Sequence, residues 1–184
     1  MELSANIFLH HQDKKAQQKL ESLINNWATT EICKQENFND LLLEEAKNIT
    51  PDLAEGAVKR FFSALEESYS ELRDLRSERT GHIADYYYFN YTHGSNGIEI
   101  IEAILQFLLD LVPDLDARAY LCGDDDPWER FYRSDSGIVR STDYEPSFEE
   151  AEENEDELPD EYEWWHENLP TEIKAGFIHL WKQL

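Results

Sequence analysis

HIADYYYFNYT (residues 82–92), HGSNG (93–97) and IEIIEAILQFLLDLV (98–112) follow one another without a break, and the fold is read from them. The first piece is β-branched and aromatic enough to be a strand. The second has turn composition, and Asn96 with Glu99 makes a capping-box-like start to a helix. In the third, Ile98, Ile101, Leu105, Leu108 and Val112 fall on one helical face, and Pro113 stops the helix. Strand, turn and amphipathic helix in succession form a β-α unit, whose neighbours decide the architecture.

Downstream, Ala117–Cys122 is another strand, and Trp128–Arg133 and Ile138–Asp143 flank Ser-Asp-Ser-Gly, the composition of a hairpin loop. Upstream, Leu3, Ala5, Ile7 and Leu9 alternate with Ser4, Asn6, Phe8 and His10, a period-two pattern that predicts a first strand. Asp13 can cap a helix whose stripe is Ala16, Leu20, Leu23, Ile24 and Trp27. Asn39 is the expected cap of a short helix through Ile49, and Pro51 after Thr50 restarts the chain at a first-turn position. Leu53, Ala57, Phe61, Leu65, Leu72 and Leu75 mark a long helix to Arg76.

The order predicts an α+β fold, an antiparallel or mixed sheet with helices on one face. A ferredoxin-like, split β-α-β core with a helical insert at about 28–80 fits it. On this reading residues 1–145 form the domain, 146–168 an acidic, aromatic-flanked segment, and 169–184 an amphipathic helix docking on the domain. That last helix carries Ile173, Phe177, Leu180, Trp181 and Leu184.

A chain of 184 residues with 41% hydrophobic composition can bury one core. Cys33 and Cys122 lie far apart, in no metal-binding spacing, and cannot form a disulfide framework. The first residues lack the basic and apolar regions of a signal peptide, and Ile98–Val112 is too short and too interrupted by acids to span a membrane. A cytoplasmic, reduced protein is expected.

The charge is lopsided: 40 Asp and Glu against 16 Lys and Arg, a net −24. Residues 143–167 alone hold thirteen carboxylates and no Lys or Arg. Such a field repels nucleic acid and anionic membranes and attracts basic surfaces. Coiled as a helix, this run would place a carboxylate every ~2.9 Å, near the ~3.4 Å phosphate spacing of a DNA strand; extended, its charge is too dilute. Pro146 and Pro159 confine any helix to Ser147–Leu158. Tyr144 and Phe148 precede the densest acids; Tyr162, Trp164 and Trp165 follow. Solubilising tails hold few aromatics, whereas binding hot spots are rich in Trp and Tyr.

The expected partner-binding residues are therefore Glu149, Glu150, Glu152, Glu153, Glu155, Asp156, Glu157 and Asp160, with Trp164 and Trp165 as anchors and Asp124, Asp125 and Asp126 as a second patch. The expected function is a non-enzymatic inhibitor that neutralises a basic, nucleic-acid-processing protein, in the manner of an immunity protein or a nucleic-acid mimic that blocks a defence nuclease. Two alternatives compete. Asp124–Asp126 with Glu129 and His93 could hold a divalent cation in a hydrolase, since hard cations take carboxylate oxygens. Otherwise the C-terminal helix serves an adaptor whose acids only solubilise.

No cofactor, metal or direct nucleic-acid contact is expected. The histidines form no H-x-x-x-H pair, and Ser95 and Ser136 lie outside G-x-S-x-G. Tyr86–Tyr91 could stack bases, but residues 81–117 contain no Lys or Arg to track a phosphate backbone.

Overall fold

The computed structural model describes residues 3–29, 38–66, 77–83, 85–93, 97–123 and 129–144. Among them are six strands and four helices in the order β1 (Leu3–His10), α1 (Lys14–Thr29), α2 (Phe38–Ile49), α3 (Pro51–Ala64), β2 (Ser77–Ile83), β3 (Tyr86–His93), α4 (Gly97–Leu111), β4 (Asp116–Gly123), β5 (Glu129–Asp135) and β6 (Ile138–Tyr144). The strands form one sheet in the order β2-β3-β1-β4-β5-β6, antiparallel at every junction. The fold is α+β. Strand β1 lies between β3 and β4, which run parallel to one another and are joined across it by α4. Strands β1 and β2 are likewise parallel, with β3 between them. Both crossovers are thus split β-α-β connections.

The aromatic stretch expected as one strand over 82–92 is two. Ile83 pairs with Tyr86, and the chain reverses there into the β2–β3 hairpin. Strand β2, Ser-Glu-Arg-Thr-Gly-His-Ile, has no apolar alternation because it is an outer strand with one neighbour.

Register sets two faces. Ala5, Ile7 and Leu9 of β1, Tyr87 and Phe89 of β3, Ala117, Ala119 and Leu121 of β4 and Tyr132 of β5 point into one core with the helices. Helix α4 is buried almost all round, through Ile100, Ile101, Ile104, Leu105, Phe107, Leu108 and Leu111. It runs beneath the sheet and also receives α3, where the rings of Phe61 and Phe107 stack at 4.7 Å. Each such side chain contributes about 1.5–3 kcal/mol on leaving water. Helices α2 and α3 pack on each other, on α1 and on α4.

Local chemistry sets the element ends. Asp13 caps α1 as expected, its Oδ1 accepting the Lys15 amide at 2.9 Å. Helix α2 spans Phe38–Ile49, so Asn39 lies inside it and is not its cap, and Phe38 is buried. Pro51 opens α3 behind an extended Thr50 whose side chain makes no cap bond. Helix α3 ends at Ala64, where the Leu65 amide is shared between the Phe61 and Phe62 carbonyls. Of the expected continuation to Arg76, residues 67–76 lie outside those described. Its buried stripe is Ala54, Ala57, Val58, Phe61 and Leu65, while Leu53, expected on it, is 41% exposed. Small Ala54 and Ala57 let the neighbouring helices approach, which leaves Leu53 at the margin.

Candidate interaction surface

The expected partner-binding residues, Glu149 to Glu157, Asp160, Trp164, Trp165 and Asp124 to Asp126, all lie outside the described residues, as does the C-terminal segment. What the structure supplies is their mounting. Strand β4 ends at Gly123, one residue before the first of these aspartates, and β6 ends at Tyr144, the second residue of the 143–167 run. Register puts both ends at the same end of the sheet: Tyr144 pairs with Glu129, and Glu129 with Cys122. Strands β4 and β6 are second neighbours, separated by roughly 10 Å at ~4.8 Å per strand. His93 ends β3 at this same end, and Leu3 pairs with both His93 and Gly123.

Asp143, the first carboxylate of the run, is held by Arg130 in a cluster that joins β6, β5 and α4. The Arg130 guanidinium on β5 grips it through two bonds, Nε to Oδ1 and Nη2 to Oδ2, the latter at 2.7 Å. Arg130 Nη1 also donates to Glu102 Oε1 of α4 at 3.3 Å, and the Tyr132 hydroxyl donates to the same oxygen at 3.2 Å. A planar guanidinium suits this forked geometry. The fork holds the Asp143 carboxyl below the usual carboxylate range, and Asp143 in turn pushes Arg130 up. Burial is the main cause that raises the Tyr132 phenol. At neutral pH the Arg130–Asp143 pair is thus a charged clamp.

Gln106, one turn along α4, pins the other end of the same hairpin. Its Nε2 donates to the Gly137 carbonyl at 3.1 Å, and its Oε1 accepts the Val139 amide at 3.3 Å. The turn is Ser136-Gly137, with φ of 53° and 80°, both left-handed as a two-residue hairpin turn demands. It is shorter than the expected four-residue loop: Ser134 and Asp135 pair within β5, and Ser134 Oγ bridges the Leu115 carbonyl and the Ala117 amide. The β5–β6 hairpin is therefore tied to α4 at both ends. Glu102, Gln106, Arg130 and Tyr132 were not legible as a unit, because a helix and a hairpin some thirty residues apart share them; the one signal is a polar Arg facing into a strand pair.

Compared with protein-family models, with curated proteins and with solved structures, the chain matches none. Its reading rests on its own chemistry.

Among the described residues no group of three or more His, Cys, Asp or Glu side chains could hold a metal ion. None of their helices is long and apolar enough to cross a membrane. A cavity of about 560 Å³ between α2 and α3 is lined by Asp40, Glu55 and Glu66 together with Lys59, Leu43 and Phe62. Ser63 and Asn39 also line it, and it is a groove of mixed charge. His11 Nε2 lies 3.0 Å from Asp114 Oδ1, and His82 Nε2 lies 3.0 Å from Glu21 Oε1.

Proposed function

We propose that this protein is a non-enzymatic acidic inhibitor that binds and neutralises a basic, nucleic-acid-processing protein, acting as an immunity protein or as a nucleic-acid mimic against a defence nuclease. The observation that carries the reading is the common sheet end. Strand β4, which precedes Asp124–Asp126, and strand β6, which leads into the 143–167 run, finish at the same end of the sheet with β5 between them, in a chain of net −24. Three carboxylates and thirteen thereby start from points roughly 10 Å apart, close to the Debye length of about 8 Å, so their fields overlap in part. The Arg130 clamp fixes the point from which the longer stretch departs. Charge of this density supplies steering and association rate; Trp164 or Trp165 supplies residence.

The test is affinity capture from host lysate at low and high salt, with the wild-type chain beside one carrying E149Q, E150Q, E152Q and E153Q. Basic nucleases or nucleic-acid-binding proteins held by the wild type at low salt, and not by the variant, support the reading. Neutral partners indifferent to salt sink it.

A second reading is favoured by one observation: His93, Gly123 and Glu129 come to the same sheet end through their backbone pairing. Asp124–Asp126, Glu129 and His93 would then hold a divalent cation for hydrolysis. Micromolar Mg²⁺ or Mn²⁺ raising the melting temperature would favour it, because a ligand of the native state alone stabilises that state.

A further inference from the structure

Among the described strands the sheet has two outer ones, β2 and β6, and they differ in how their edges are guarded. Strand β2 carries Gly81 and shifts register between Ser77 and Arg79, a bulge of the kind that turns an edge away from a further strand. Strand β6, Ile-Val-Arg-Ser-Thr-Asp-Tyr, has no Gly, Pro or Lys, and it pairs with β5 over all its length without a shift. Its β-branched and aromatic composition favours strand pairing. Ile138 is 49% exposed, and Arg140, Ser141 and Asp143 are exposed as well.

Backbone direction along β6 follows from its turn. The two-residue turn makes Asp135 and Ile138 a hydrogen-bonded pair, so Arg140 and Thr142 also bond back to β5. Val139, Ser141 and Asp143 then aim their amides and carbonyls away from the sheet. The Val139 amide obeys this alternation, since it is taken by Gln106 Oε1 and not by β5. Among the described residues no backbone group bonds Ser141 or Asp143 on that outer side. Helix α4 fixes the strand near both ends, through Gln106 at the turn and through Glu102, which shares Arg130 with Asp143. The edge is thus held in strand conformation before anything pairs with it. Its charges are matched locally: Arg140 Nε lies 3.7 Å from Asp135, and Arg130 grips Asp143.

We propose that β6 takes up an extended segment of a basic protein as an added strand, bonded through Ser141, Asp143 and the Val139 carbonyl. Charge chooses the occupant. A second copy would bring −24 against −24, and that repulsion guards an edge that has no Gly, Pro, Lys or bulge to do so. A basic chain is attracted by the same field, and at the edge itself it meets charges that are already paired. This docking rests on the reading of the chain as a binder of a basic partner. It names the surface that holds the partner once charge has drawn it in.

The test uses the full chain and a pair of short synthetic peptides of alternating Lys and Val, one of them N-methylated at every backbone nitrogen. When the unmethylated peptide binds, the Ser141 and Asp143 amides should gain protection from hydrogen exchange. Those of Arg140 and Thr142, already bonded to β5, should change little. The methylated peptide has the same charge but no backbone donors, and it should bind at least about tenfold more weakly. S141P removes one outward donor and no bond to β5, so it should melt close to wild type and lose affinity for the unmethylated peptide. Equal affinity for the two peptides, or protection of neither amide, overturns the edge docking; salt-sensitive binding of both would still leave the charge reading standing. Binding of neither peptide at low salt overturns both. Protection of these amides that rises with the concentration of the chain alone marks a second copy as occupant and also overturns the proposal.

Discussion

Replacing Arg130 with Met removes the clamp while keeping most of the side chain's packing. Three charge-assisted bonds are lost, two to Asp143 and one to Glu102. Buried bonds of this kind contribute about 1.5–3 kcal/mol each. Here the Asp143 and Glu102 side chains are 43% and 44% exposed, so water takes over much of what Arg130 leaves. The set is therefore worth about 1–2 kcal/mol. For a chain of this size that lowers the melting temperature by about 3–6 °C. The effect has a signed pH dependence. Arg130 depresses the Asp143 pKa, so its stabilisation is complete above the unfolded carboxyl value of about 3.9 and is lost as pH falls through the folded value. Circular-dichroism melts of wild type and R130M should differ by the full amount at pH 7, and the gap should close as pH falls through the lowered folded value of Asp143. Equal melting temperatures at pH 7, or a gap that widens on acidification, would refute the account of the clamp.

F61A should cost about 3–5 kcal/mol in urea unfolding, because Phe61 is buried and stacked on Phe107 where α3 meets α4; a loss under 1 kcal/mol would mean that this seam is slack. G137A should cost about 1–2 kcal/mol, since Gly137 sits at φ 80° and an added Cβ meets only ordinary contacts with Pro113. Destabilisation by G137A beside an unchanged melting temperature for the control G81A, where a Cβ meets open space, separates backbone strain from crowding.

Elements with clean periodicity were legible in the sequence. Strand β1 alternates because one side of it faces the helices, and α4 is apolar enough that its burial on nearly every side follows. Asp13 was readable as a cap because its work is local. Strand β2 was not, since an outer strand with one neighbour need not carry apolar residues, and its absence from the reading fused the β2–β3 hairpin into one strand. Leu53 misled for a different reason: spacing puts it within one step of the stripe, and the close approach at Ala54 and Ala57 decides which way α3 rotates. Alternation on β1 also hid the burial on the sheet face opposite the helices. Phe8 among Asn6 and His10 looked like an outward residue, whereas it is buried beside Tyr88. The acidic run was conspicuous in composition, but its mounting depends on which strands neighbour which. Register, which pairs Tyr144 with Glu129 and Glu129 with Cys122, is a property of the assembled sheet.

The central claim is that the 149–157 carboxylates meet a basic partner. Its most direct measurement is the association rate of a purified, captured partner with wild type and with the E149Q, E150Q, E152Q and E153Q chain, across a range of salt concentrations. The account predicts a marked fall in association rate for the variant and a flatter dependence on salt, with a smaller change in dissociation. Equal rates and equal salt slopes for the two chains would contradict it.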